Sequence, residues 1–326
     1  MSHFWRFFSP LLWVSVNLKS LKIFCDIVSR RSFSRAAEDN GISQSGASQV
    51  VGHLENTLGV QLIERSKRPL APTREGKVFF DGSRKILAAY DALEDEVRTL
   101  HDEVAGRVRV AAIYSVGLHH MSSYVQEFRA QHPKANVRLE YLHPERVLES
   151  VENGEADLGI VSYPRSTRLV EAEPWREEPM VIVCAPSHLL AETDEAALGA
   201  LAGLPMVAFD SDLVIRHEID RVLDGQNVEA DVVMEFDNIE TIKRAIEIDA
   251  GISILPEATV LREVAAGTLA RVRIADPDAA RQLSRPLGII RGRNRPLAPT
   301  VQRFLDLLRG HAADLDAVLA VAAATT

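Results

Sequence analysis

The chain has 326 residues, a formal net charge of −9, 46% hydrophobic and 25% charged residues. Its length exceeds one ordinary hydrophobic core and predicts two domains, and its apolar content excludes a largely disordered chain. The acidic balance excludes a protein that coats nucleic acid or anionic membrane over its whole surface, but between Asn17 and Arg74 nine basic residues stand against five acidic ones, a local +4 that leaves −13 elsewhere.

The first sixteen residues include Phe4, Trp5, Phe7, Phe8, Leu11, Leu12 and Trp13. This run is too short to span a bilayer and lacks a small-residue cleavage site. The expectation is an over-long translation start, with the functional chain beginning near Val16 or Asn17. Leu18, Leu21, Phe24, Cys25, Ile27 and Val28 then recur at helical spacing and predict a helix over 18–30. Ser32 caps a second, short helix that carries Phe33, Ala36 and Ala37 and ends at Asn40-Gly41. A third helix runs from the cap Ser43 to Leu58, with Val50, Val51, Leu54 and Leu58 as its apolar stripe and Gly59 as a left-handed stop. Its other face carries Gln44, Ser45, Ser48, Gln49 and His53. Glutamine can pair with adenine in the major groove, and serine reaches base or phosphate. Two short helices joined by a turn, the second presenting such a face, predict a helix-turn-helix for double-stranded DNA.

Gln61 to Glu64 reads as a short strand and Leu70-Ala71 as its return, with Arg65, Lys67 and Arg68 on a basic turn between them that can grip phosphate as a wing. Ser32 and Arg35, with Arg30 and Arg31, are further candidates on the DNA side. Thr73 caps a longer helix, on which Phe79, Ile86, Tyr90, Leu93, Val97, Leu100 and Val104 form a heptad seam that predicts pairing with a second copy through residues 74–106. Ala105-Gly106 ends this helix and forms a hinge.

These residues resemble the winged helix-turn-helix of the LysR-type transcriptional regulators. The matching text is Leu18-x-x-Leu21-x-x-Phe24, Ser32 to Ala37 (Ser-Phe-Ser-x-Ala-Ala), Ile42 to Gln49 (Ile-Ser-Gln-Ser-x-x-Ser-Gln), Leu54 to Arg65 (Leu-Glu-x-x-Leu-Gly-Val-x-Leu-x-x-Arg) and Pro72 to Gly76 (Pro-Thr-x-x-Gly). Ser45, Gln49 and His53 depart from it, standing where the family commonly has proline, arginine and a second basic residue, so a weaker salt dependence of DNA binding is expected. Such regulators continue with a linker helix and an effector domain that looks like a periplasmic solute-binding protein, so the resemblance covers nearly the whole chain. It implies a small, often anionic metabolite as effector, a homotetramer, contact with RNA polymerase and a cytoplasmic location.

From Arg107 strands and helices alternate. Strands are expected at Val108 to Ile113, Val137 to Leu142, Ala156 to Val161, Met180 to Ala185, Pro205 to Phe209, Asp231 to Phe236, Ile252 to Leu255, Ala270 to Ile274 and Leu287 to Ile290. Helices are expected over Leu118 to Gln131 (with Leu118, Met121, Tyr124, Val125 and Phe128 inward), Pro144 to Glu152, Ile215 to Leu223, Ile239 to Ile248 and after Pro299. The pattern predicts an α/β domain of two lobes, each a parallel sheet covered by helices, with the chain returning to the first lobe at Ala270. The expected layout is a winged helix-turn-helix over 17–73, linker helix and hinge over 74–106, a two-lobed periplasmic-binding-protein-like domain over 107–310, and an alanine-rich, frayed tail over 311–326.

Ligands of such folds bind beyond the carboxyl ends of strands, near helix N-termini that favour anions. There stand Ser115, His143, Ser162, Tyr163, Asp210, Ser211, Arg216, Asn238 and Thr241. Ser115 and Asn238 serve equally as helix caps, and Arg216 equally as an ion-pair partner of Asp212 or Asp220. No nucleotide-binding glycine loop, Gly-x-Ser-x-Gly elbow or His-Glu-x-x-His supports an α/β enzyme, and the N-terminal run supplies no convincing export signal for a free solute-binding protein. Cys25 and Cys184 read as buried thiols, and no Cys/His spacing matches a metal site. His119 and His120, being adjacent, face different sides of a helix. No cofactor beyond the effector is expected.

Overall fold

Asn17 accepts the Ser20 N–H at 2.8 Å, which starts α1 (Leu18–Arg30). Residues 17–99, 106–293 and 295–310 are described in this computed structural model. The expectations for residues 1–16, for Leu100, Val104 and Ala105, and for the tail from 311 fall outside them. α2 (Phe33–Asp39) is capped by Ser32 and α3 (Gln44–Leu58) by Ser43, which accepts the Gly46 N–H at 3.1 Å. Ala36 and Ala37 are buried, so α2 lies close against its neighbours. The inward stripe of α3 is Ala47, Val51 and Leu54, with Val50 half-buried and Leu58 44% exposed, because the last turn runs past the core it packs on.

The antiparallel wing strands β1 (Ile63–Glu64) and β2 (Ala71–Pro72) are shorter than expected. Gln61 and Leu70 lie outside them, the Gln61 carbonyl being taken by the Thr73 hydroxyl at 2.7 Å. The same hydroxyl oxygen accepts the Gly76 N–H at 2.9 Å and starts α4 (Arg74–Thr99). Phe79 is half-buried and packs on Phe24 at 5.2 Å, whereas Ile86, Tyr90, Leu93 and Val97 are about half exposed, an apolar seam that nothing among the described residues covers.

The C-terminal unit begins with β3 (Arg107–Ile113), α5 (Tyr114–His119), α6 (Met121–Gln131), β4 (Asn136–Leu142), α7 (Pro144–Glu152) and β5 (Leu158–Ser162). The single helix expected from Leu118 is two, broken at His120, and Leu118 is 41% exposed instead of inward. The chain continues through β6 (Val170–Cys184), β7 (Glu195–Ala196), β8 (Pro205–Phe209), α8 (Val214–Gly225), β9 (Asp231–Phe236), α9 (Ile239–Glu247), β10 (Ser253–Pro256), α10 (Leu261–Ala266), β11 (Ala270–Ile274), α11 (Pro277–Gln282), β12 (Ser284–Gly292) and a last helix over 299–310.

The main sheet runs β4-β3-β5-β12-β6-β11-β7, with β10 also paired to β6, while β8 and β9 form a separate parallel pair. Two expectations are corrected. The large sheet is mixed, since β12 is antiparallel to β5 and β6, and β10 and β11 are antiparallel to β6. β11 stays in the second lobe, where Val272 and Ile274 join the core of Val183, Phe209 and Ile254, and the chain returns to the first with β12 and the last helix, around Val110, Phe128 and Phe304. β6 therefore runs through both lobes, with Val170 and Trp175 in the first core and Met180 to Cys184 in the second, and β12 pairs along its first-lobe part. Among the described residues no helix is long and apolar enough to cross a membrane.

Candidate functional site

On the N-terminal unit the polar face of α3 is open. Gln44, Gln49 and His53 are exposed and have no side-chain partner among the described residues, and Ser45 meets the Ser43 hydroxyl at 2.9 Å. Ser48 is half-buried and accepts from Arg65 Nη1 at 3.2 Å. Arg65 also pairs with Glu55 at 3.2 Å and lies over the Phe33 ring, so its head is held between wing and helix instead of standing free for phosphate. Glu55 Oε1 accepts the N–H groups of Leu62 at 2.9 Å and Ile63 at 3.3 Å, and so ties α3 to the wing. Sequence reasoning passed over Glu55. Its signal is an acidic residue toward a helix C-terminus, where the dipole disfavours it unless other donors compensate.

Lys67 pairs with Glu64 at 2.7 Å, and Arg68 donates to the carbonyls of Arg65 and Lys67. The Lys67 pair is exposed, and such pairs contribute only ~0–1 kcal/mol, so exchange of that carboxylate for a phosphate costs little. Arg35 is exposed with no side-chain partner among the described residues, Arg30 pairs with Asp39 at 2.7 Å, and the Ser32 hydroxyl caps α2.

On the C-terminal unit a cavity of about 170 Å³ lies between the lobes, at the carboxyl ends of β3, β4, β5 and β8 and the N-terminal ends of α5, α7, α8 and α9. Ser115, His143, Ser162 and Asn238 line it together. Tyr163, Ser211, Arg216 and Thr241 are not in its lining. Tyr163 packs on the second lobe's core, and burial pushes its phenol up to about 12. Arg216 is held by Asp220 at 2.8 Å, Glu235 at 2.5 Å and the Phe209 carbonyl at 2.7 Å, the ion-pair alternative, and Ser211 and Thr241 are exposed elsewhere. Tyr114, Glu145, Asp212, Asp237 and Arg285 line the cavity although sequence reasoning did not select them.

Arg285 is the most consequential of these. Its side chain is 2% exposed, Nη1 donates to Ser115 Oγ at 2.9 Å, and Nε and Nη2 donate to Glu178, with Nε at 2.9 Å. The other oxygen of Glu178 meets His120 Nε2 at 2.5 Å, and Arg176 Nη1 lies 3.2 Å from His120 Nδ1. A guanidinium can only donate, so Nδ1 accepts and Nε2–H donates to Glu178. His120 stands at the break between α5 and α6, with φ −116°, and this bond holds it there. Burial alone raises the Glu178 carboxyl, but Arg285 and His120 outweigh it and hold it down to about 2. The group therefore contributes stability that is complete above its ordinary value near 4.5 and lost as pH falls toward 2. Acid titration of the folded chain by circular dichroism checks this, since Glu178→Gln should remove that part of the acid dependence.

Among the described residues no cluster of His, Cys, Asp and Glu could hold a metal ion. Residues 101–313 match the family model of the LysR substrate binding domain, and residues 18–77 match that of the bacterial regulatory helix-turn-helix protein, lysR family. The chain belongs to the LysR family. It is a LysR-type transcriptional regulator with an effector-binding domain, and its relatives are regulators and not enzymes. One relative, the uncharacterized HTH-type transcriptional regulator YfeR of Shigella flexneri, is 29% identical over 91% of this chain and 94% of its own length. A full-length OxyR point variant from Pseudomonas aeruginosa superposes with a TM-score of 0.70 at 20% identity, over 91% of this chain and 94% of that one. CbnR in complex with its target DNA superposes at 0.63 and 20% identity, over 90% and 99%. At these identities the structural likeness speaks for the LysR fold alone.

Proposed function

We propose that this LysR-family protein binds a double-stranded operator as a homodimer paired through residues 74–106 and doubled into a homotetramer. It acts in the cytoplasm, contacts RNA polymerase, and changes its DNA contacts when a small metabolite bearing an anionic group fills the cavity between the lobes. The observation that carries the reading is that cavity. Four helix N-termini and four strand ends from two lobes converge on it, with the buried Ser115 and Arg285 as hydrogen-bond donors in its lining. The uncovered seam Ile86, Tyr90, Leu93 and Val97 supports pairing, and Val232, Val233 and Met234, exposed on β9, offer a second apolar contact for a tetramer. A regulator of this fold, CbnR, has been captured with its target DNA. Effector binding shifts the balance between two arrangements of the assembly, so no cofactor is needed.

Genome-wide recovery of bound DNA fragments, followed by operator binding with and without metabolites drawn from the neighbouring genes, tests the reading. Operator affinity unchanged by every such metabolite would reject effector control. The division of labour on the DNA face is testable separately. Gln44→Ala and Gln49→Ala should each lower discrimination between operator and random DNA by about 1–3 kcal/mol per lost bidentate contact, measured by competition binding. Lys67→Ala should weaken both DNAs alike and reduce the salt slope by about one. Equal losses of specific and non-specific binding in all three variants would contradict this assignment.

A further inference from the structure

The cavity has two chemically different sides. Ser115 and Arg285, 7% and 2% exposed, form the buried one. Of the five N–H groups of Arg285, two go to Glu178 and one to Ser115, which leaves two without an acceptor among the described residues. The Ser115 oxygen accepts from Arg285, so its own proton remains to be donated. Val214 and Ile215 open the twelve-residue α8, whose cap position, Leu213, supplies no side-chain acceptor for the first N–H groups. An acceptor-only group such as a carboxylate, with about four lone-pair sites, suits such a set of donors. The guanidinium charge is already balanced by Glu178, however, so this side is rich in donors without being net positive.

The solvent-facing side is acidic. Glu145, Asp212 and Asp237 are exposed, line the cavity, and have no hydrogen-bond or ion-pair partner among the described residues. Apart from Arg285, no lysine or arginine lines the cavity. The three carboxylates lie close to the N-terminal ends of α7, α8 and α9, where helix dipoles favour them, yet each remains able to accept from a ligand. A ligand that is only anionic meets repulsion here. The rest of the lining, Ile113, Leu142, Phe209, Leu213, Ile215 and Ile239, is apolar.

We propose that the effector is a zwitterion of the amino-acid class with an apolar side chain. Its carboxylate binds at Ser115 and Arg285, its ammonium at Glu145, Asp212 and Asp237, and its side chain packs among the apolar residues. This rests on the reading of the cavity as the effector site and narrows the ligand from a metabolite with an anionic group to one carrying both charges.

Calorimetry on the full chain with the apolar L-amino acids, their N-acetyl derivatives, the corresponding 2-oxo acids, the decarboxylated amines and inorganic phosphate tests it. At least one amino acid should bind, with each single-charge analogue weaker by about tenfold or more. The triple variant Glu145→Gln, Asp212→Asn, Asp237→Asn, confined to exposed positions, should lose most of that preference over the 2-oxo acid. Acids serving only as helix-dipole partners would lower thermal stability and leave the ratio unchanged, which overturns the proposal. Absence of binding by any amino acid, or phosphate or a 2-oxo acid binding as tightly as the amino acid, overturns it as well. Operator occupancy measured alongside keeps the two readings apart. An anion that acts through a Ser115→Ala-sensitive site and shifts DNA binding removes the zwitterion but leaves effector control intact. A zwitterion that binds and leaves DNA occupancy unchanged does the reverse.

Discussion

Replacing Glu178 by glutamine should destabilise the C-terminal unit by about 3–5 kcal/mol, the largest effect of any single substitution considered. The side chain keeps its size, so no cavity forms, and the loss is electrostatic. Arg285 stays charged, 2% exposed and deprived of its counter-ion, and His120 Nε2–H loses its anionic acceptor. Urea denaturation at neutral pH, monitored by far-UV circular dichroism, gives the number directly. The double change Glu178→Gln with Arg285→Met should be less damaging than the single one, because removing both members of a buried pair relieves the uncompensated charge. A single-variant loss under about 1 kcal/mol would show that the pair behaves as an exposed one and that water reaches it. Effector binding should fall in both variants, because Arg285 reaches Ser115 only from this position.

The second large effect falls on Gly76. A methyl group there clashes with the Leu62 carbonyl oxygen and comes within 2.8 Å of its carbon, both backbone atoms of the segment that leads into the wing. Alanine improves helix propensity by up to ~1 kcal/mol, but a clash with backbone forces α4 and the wing apart at a cost of about 1–3 kcal/mol or more, so Gly76→Ala should be destabilising on balance. It should also impair DNA binding, because Leu62 and Ile63 are the groups through which Glu55 fixes the recognition helix. Gly82 on the same helix has nothing within 4 Å of its would-be methyl, so Gly82→Ala should stabilise by about 0.5–1 kcal/mol. Melting both variants side by side separates packing from propensity, and a Gly76→Ala protein as stable as Gly82→Ala would remove the close approach from the account.

The N-terminal unit was legible because its information is local. Ser32, Ser43 and Thr73 each cap the helix that follows, and Arg31 and Gly59 stop helices in the left-handed conformation. The second unit was legible only in part, because its decisive features are long-range. The first ten residues of β6 carry Pro174 and Pro179 and several glutamates, a composition that argues against a strand. They pair all the same, with Trp175 at the register irregularity opposite Leu287 and Gly288 and its indole donating to the Leu308 carbonyl at 2.9 Å. Truncating β12 to Leu287–Ile290 hid Arg285, which precedes a proline and has its ion-pair partner 107 residues away. Sequence adjacency to β12 suggested that β11 crossed lobes with it, whereas the ladder places β11 against Ile182, Val183 and Cys184. His119 and His120 do face different ways, toward Glu240 on α9 and Glu178 on β6, although both partners depend on how the lobes come together.

The continuity of β6 through both lobes sets the mechanics of the domain. β6 is unbroken for 15 residues, and β12 pairs with it up to Ser284 opposite Pro179, where Met180 also donates to the Leu283 carbonyl. A joint built this way behaves as a leaf spring and not as a loose pin. Each lobe can tilt only by twisting a hydrogen-bonded ribbon, so angular excursions are small and carry a restoring force. Glu178 and Arg285 are direct cross-strand partners at this joint, so their buried ion pair clamps the ribbon where the lobes meet. A molecule seated between the lobes would therefore act as a load on the spring, and the twist it imposes would bias the assembly toward one of its two arrangements.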